Sequence, residues 1–172
     1  MHSKVSIAKH PLHPALVALP IGLLVWAFVA DLIYLGTDKN PTWYDISFYS
    51  GIAGIVMALV AALPGFVDYL TLAKGTNVND IALLHMGSNL LVVGLYVVAA
   101  ALQWDGGARD GSSLTAMVAL HASGTTFLTL SGWLGGELVF KHHVATVDEE
   151  EPSEQTQGSS QQTRGGAQAR GA

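Results

Sequence analysis

Four stretches of the chain, each long enough to cross a bilayer, hold almost no charge. A spanning helix needs about 20 mainly apolar residues. Ala15 to Tyr34 meets this with Asp31 as its only charged group, while Ile46 to Val67, Ile81 to Leu102 and Ser113 to Gly136 have none; His85 and His121 fall within the last two. A charge at the middle of a membrane helix costs roughly 2.5–3.5 kcal/mol on insertion scales, so this spacing of charges points to lipid as the solvent. The whole chain of 172 residues agrees: only 12% is Asp, Glu, Lys or Arg, against about 25% in an average soluble domain. None of the windows alternates with period two, which excludes a barrel.

The expected fold is therefore all-α, a polytopic membrane protein built as a four-transmembrane-helix bundle over residues 1–145. Its helices are expected at about 13–36, 44–73, 80–103 and 112–140, with an acidic, Gly-, Ser- and Gln-rich disordered tail over 146–172. Short connections favour antiparallel neighbours. Asn40-Pro41 and Gly106-Gly107 are turn signals, and Pro20 and Pro64 are expected to kink their helices. The start is not a cleavable signal, because the His10-Pro11-Leu12-His13-Pro14 run leads straight into a span-length helix. Lys4, Lys9, Lys74, Lys141, Arg164 and Arg170 fall on one side, Lys39 and Arg109 on the other. By the positive-inside rule this predicts a multi-pass protein of the bacterial inner membrane with both termini cytoplasmic.

Helical periodicity assigns the inward faces. Gly51, Gly54, Ala58, Ala61, Gly65 and Asp68 form a small-residue stripe on the second span, the usual means of close helix approach in membranes. On the first span His10, His13, Val17, Pro20, Leu24, Ala27 and Asp31 share a face; on the third His85, Ser88, Asn89, Val92 and Tyr96; on the fourth His121, Gly124, Thr125, Leu128, Gly132 and Gly135. Ionisable groups in membranes rarely face lipid, so the four stripes are expected to meet. Depth sorts them: His10, His13, Asp68, His85 and Glu137 fall at the cytoplasmic end, whereas Asp31 and His121 lie near the opposite side, at similar depth, where they are placed to pair.

These same residues carry a resemblance. The Ser131-Gly132-Trp133-Leu134-Gly135-Gly136-Glu137-Leu138-Val139-Phe140 run, the His-Pro-rich opening, Asp31 and Pro64-Gly65-Phe66-Val67-Asp68-Tyr69 followed by His85 and Asn89 resemble the bacterial membrane family catalogued as domain of unknown function 2231. The resemblance covers roughly residues 10 to 145 and implies a four-helix membrane domain. Some relatives are joined to Rieske-type iron–sulfur domains, which implies a link to electron transfer. This chain has no cysteine with which to build such a cluster.

Several chemistries suit the constellation. Haem b is commonly held by histidines on facing helices, with His13 and His85 as ligands and His10 as a substitute; the headgroup boundary would suit the same rings without any ligand. A non-haem metal would draw on His10, His13, Asp68, His85 and Glu137. A proton or ion path would use Asp31, His121, Asp68 and Glu137, although the second and third spans show no matching internal repeat and no broken-helix pair stands out. A structural accessory subunit, held by a redox protein partner, by quinone or lipid, or as a homo-oligomer, needs none of these. Trp43, Tyr44, Trp104 and Trp133 suit interfacial anchoring. A hydrolase lacks its nucleophile elbow and nucleic-acid binding lacks a basic patch. The sequence leaves enzymatic activity undecided, with a non-enzymatic role favoured. The leading expectation is a haem- or redox-associated membrane component.

Overall fold

A computed structural model of the chain describes residues 5–7 and 10–144, the side chain of residue 105 excepted. The expected tail lies outside the described residues. The order is β1 (Ser6–Ile7), β2 (His10–Pro11), α1 (Leu12–Leu16), α2 (Ala18–Gly36), α3 (Pro41–Tyr69), α4 (Asn77–Gln103), a 3-10 turn (Trp104–Gly106), α5 (Gly111–Gly136) and a π turn (Glu137–Lys141). Three helices are long and apolar enough to cross a membrane: Leu12–Gly36, Pro41–Tyr69 and Asn77–Gln103. A fourth, α5, runs alongside them.

The helix ends have local causes. α3 begins at Pro41, earlier than the expected residue 44, because Asn40 caps it by accepting from the Thr42 N–H and Pro41 sits in the first turn. It closes at Tyr69, short of 73, where Thr71 Oγ1 turns back to the Asp68 carbonyl. Thr76 caps α4 through the Asn79 N–H. Pro20 has no N–H to offer the Leu16 carbonyl, and the helix breaks at Val17, between α1 and α2. Pro64, in contrast, lies inside an unbroken α3. The β1–β2 ladder, only two residues per strand, was not anticipated. It takes His10 off the first helical face, since the helix starts only after Pro11.

α2 packs against α3, and α4 against α5, as two antiparallel hairpins that meet through α2–α5 and α3–α4. Many large apolar side chains point outward, among them Leu32, Val56, Leu63, Leu90 and Leu130, as contact with a lipid bilayer requires. The interior stripes are those of the sequence, with Gly51, Gly54, Ala61 and Asp68 buried on α3 and Leu24, Ala27 and Asp31 on α2.

The two hairpins repeat one another. His13 and Leu24 are eleven residues apart, as are His85 and Tyr96; Gly54 and Gly65 are eleven apart, as are Gly124 and Gly135. A Cβ added at Gly54 would stand 2.6 Å from Leu24, and one at Gly124 would stand 2.6 Å from Tyr96. At the other end, a Cβ at Gly65 would meet the His13 ring at 2.6 Å and one at Gly135 the His85 ring at 3.0 Å. In both hairpins the first helix thus presents a histidine and a large residue, and the second receives each on a glycine. The repeat relates the first span to the third and the second to the fourth, so comparing the adjacent second and third spans misses it.

Candidate functional site

The histidine layer follows from this repeat. His13 Nδ1 stands 2.7 Å from the Ala61 carbonyl, and His85 Nδ1 stands 2.8 Å from the Ser131 carbonyl. Ala61 and Ser131 each precede the receiving glycine by one turn. A carbonyl only accepts, so Nδ1 carries the proton in both rings. The Asn89 amide lies 3.1 Å from His85 Nε2 and also donates to the His85 carbonyl. The two rings face one another edge-on, with centroids 6.3 Å apart.

The remaining residues expected at the same end do not join them as one ligand set. His10 is exposed on β2 and Asp68 is buried on α3. Glu137 is partly buried and bonds Lys141 at 2.7 Å, which holds its carboxyl below the usual carboxylate range. Among the described residues, no group of three or more His, Cys, Asp or Glu is placed to hold a metal ion. Haem fits poorly as well. Orientation of the rings by carbonyls suits ligating histidines, but Asn89 already occupies His85 Nε2 and the glycines close against both rings.

The second polar layer lies toward the opposite end. Asp31 and His121 are each 1% exposed, and Asp31 Oδ2 stands 2.6 Å from His121 Nδ1. Ser47 donates to the other carboxylate oxygen at 2.5 Å, and Gln103 Nε2 donates to Ser47 Oγ at 3.4 Å. The Tyr96 ring stacks on the His121 imidazole with centroids 4.5 Å apart. Its hydroxyl donates to the Leu24 carbonyl at 2.8 Å and lies 3.0 Å from Thr125 Oγ1. Four helices therefore converge on one buried ionisable couple. Sequence reasoning supplied Asp31 and His121. It gave no role to Ser47 and Gln103, whose signal was a polar residue within an otherwise apolar face at the same depth.

Between the layers the interior is apolar. Leu24, Val92 and Leu128 fill it. On α5 the six residues from Thr125 to Ser131 correspond to about 9 Å of rise without a polar side chain between them on the inward face.

A family model described as a predicted membrane protein, DUF2231, matches residues 9–148. The chain belongs to this family. No curated protein and no solved structure matches it. DUF2231 membership fixes a membrane protein and leaves its chemistry to the residues above.

Proposed function

We propose that this member of DUF2231 is a four-span inner-membrane protein that exchanges a proton at the Asp31–His121 couple, in the service of membrane redox chemistry. α5 has 26 residues, about 39 Å of helix, against a hydrocarbon core of about 30 Å. With four spans both termini share a face, and the excess of Lys and Arg there makes it the cytoplasmic one.

The observation that carries the proton reading is the couple itself: a carboxylate and an imidazole 2.6 Å apart, both 1% exposed. Buried ionisable groups in membranes are expensive and mark function by default. A carboxylate–imidazole pair shares one proton, and Ser47 and Gln103 hold the carboxylate in place while that proton moves. The apolar layer of Leu24, Val92 and Leu128 favours exchange from the non-cytoplasmic side without a leak across the membrane.

Infrared pH titration of the protein in lipid vesicles tests this. A buried carboxyl band is expected to follow pH, to vanish in Asp31→Asn and to shift in His121→Gln, with Asp68→Asn as the control for the other buried carboxyl. Vesicles are expected to remain tight to protons. A wild-type spectrum in which the Asp31 carboxyl never titrates would sink the reading.

A further inference from the structure

At the non-cytoplasmic end of the α3–α4 seam, two cavities lie one above the other. The upper cleft, about 340 Å³, has aromatic walls in Tyr44, Phe48 and Trp104, with Gln103, Asp45 and Arg109 as its polar groups. Below it a groove of about 510 Å³ is lined almost wholly by apolar atoms from Ile52, Val56, Val97, Ala100 and Ala101. Trp104 lines both. Each volume is within the range of about 300–1,000 Å³ usual for small-molecule sites. Together they describe a polar, ring-sized head site continuous with a lipid-facing tail site.

The charges in the upper cleft select the head. The Arg109 guanidinium lies 4.6 Å from the centroid of the Tyr44 ring and 3.8 Å from Asp45 Oδ1. The Tyr34 hydroxyl donates to the Arg109 carbonyl, and the Tyr44 hydroxyl to the Gln103 carbonyl. Arg109 thus offers donors, while Asp45 balances its charge. A phosphate headgroup gains most from an excess of positive charge, which this cleft lacks. A neutral ring bearing carbonyl oxygens gains from aromatic walls and from the Arg109 and Gln103 donors. Gln103 is only 3% exposed and also bonds Ser47, which bonds Asp31. The head site therefore adjoins the buried couple.

We infer that this seam binds a lipid-soluble quinone, its ring in the upper cleft and its apolar tail along α3 and α4. The inference rests on the cleft rather than on proton exchange, and the test reads binding alone.

The probe is a short-tailed decyl benzoquinone added to the full chain in detergent, with quenching of tryptophan fluorescence as the readout. Saturable quenching is expected. The affinity is expected to fall at least fivefold in Arg109→Ala, which removes a head donor, and in Ala101→Phe, which fills the tail groove. Both side chains are exposed, so melting curves should match wild type. Leu130→Phe, on the outer face of α5, is expected to bind as wild type does. Quenching that never saturates, or that is equal in all four proteins, would overturn the assignment. So would displacement of the quinone by phosphatidylethanolamine or phosphatidylglycerol at equal mole fraction, which would make the seam an ordinary lipid site. Neither result bears on whether Asp31 titrates.

Discussion

At the His13–His85 layer the two hairpins contribute the same parts: an imidazole, a carbonyl acceptor and a glycine beneath the ring. At the Asp31–His121 layer they do not. Gln103 stands seven residues beyond Tyr96, where Asp31 stands seven beyond Leu24, and Gly51 stands three before Gly54, where His121 stands three before Gly124. The α2–α5 seam between the hairpins thus holds a carboxylate and an imidazole, and the α3–α4 seam an amide and a glycine. A Cβ at Gly51 would already touch Ala27 at 3.9 Å and Tyr96 at 4.0 Å, so a second imidazole there would run into the Tyr96 ring. The symmetric layer is what the fold repeats in order to pack. The asymmetric layer departs from that repeat, and a buried ionisable pair is hard to explain by packing, since apolar residues of similar size often serve stability as well or better.

The largest effect tests that distinction. Asp31→Leu or His121→Leu alone leaves a buried polar group without its partner, with an expected loss of about 3–5 kcal/mol. The double variant should recover most of that loss while removing the Asp31 carboxyl. Detergent melting curves of the three proteins decide it. If the double variant stays as unstable as the singles, the couple is a structural element and the contrast between the layers collapses.

Much of this was legible in the sequence because helical spacing and the cost of charge in lipid both act locally. Asp31 and His121 were each the odd residue in an apolar span, and equal depth was enough to bring them together. His13 and His85 likewise fall on inward faces of the helical periodicity. His10 leaves the helical face for a local reason, since it pairs with Ile7 in a ladder before the helix begins. The carbonyl partners of the histidines could not be read, because every residue has a carbonyl and only the glycine one turn later marks the one a ring can reach. The seam cavities were equally hidden. They arise where the hairpins meet through small residues such as Ala100 and Ala101, and that meeting is set by the packing of all four helices.

Next in size are the glycines that receive Leu24 and Tyr96. Gly124→Ala is expected to cost about 1–3 kcal/mol, the usual range for overpacking. The Tyr96 ring it meets is rigid, stacked on His121 and bonded through its hydroxyl. Gly54→Ala meets a Leu24 methyl at 2.6 Å and its Cγ at 2.8 Å, on an aliphatic side chain that no hydrogen bond holds, so it should cost less, whereas Gly54→Ile should hurt assembly because the larger side chain leaves Leu24 nowhere to go. Parallel melting of Gly124→Ala and Gly54→Ala sharpens the comparison of the hairpins. Equal losses would mean that the Tyr96 position carries no more rigidity than its Leu24 counterpart.

The smallest effects belong to the symmetric layer, where the closeness of ring and glycine differs slightly between hairpins. An added methyl at Gly65 falls 2.6 Å from His13 Nδ1, the atom bonded to Ala61, whereas one at Gly135 falls 3.0 Å from His85 Cε1. Gly65→Ala should therefore push Nδ1 away from its acceptor and lose that hydrogen bond, about 1 kcal/mol. Gly135→Ala should leave His85 on Ser131, which also offers its hydroxyl at 3.0 Å, and should melt close to wild type. Nitrogen NMR of the ring nitrogens reads the bonds directly: the His13 Nδ1 signal should move in Gly65→Ala, and the His85 signal should stay in Gly135→Ala. The opposite ranking would mean that the carbonyls, not the glycines, set how closely each ring can approach, and that the two hairpins are less alike in their histidine layer than their sequence spacing indicates.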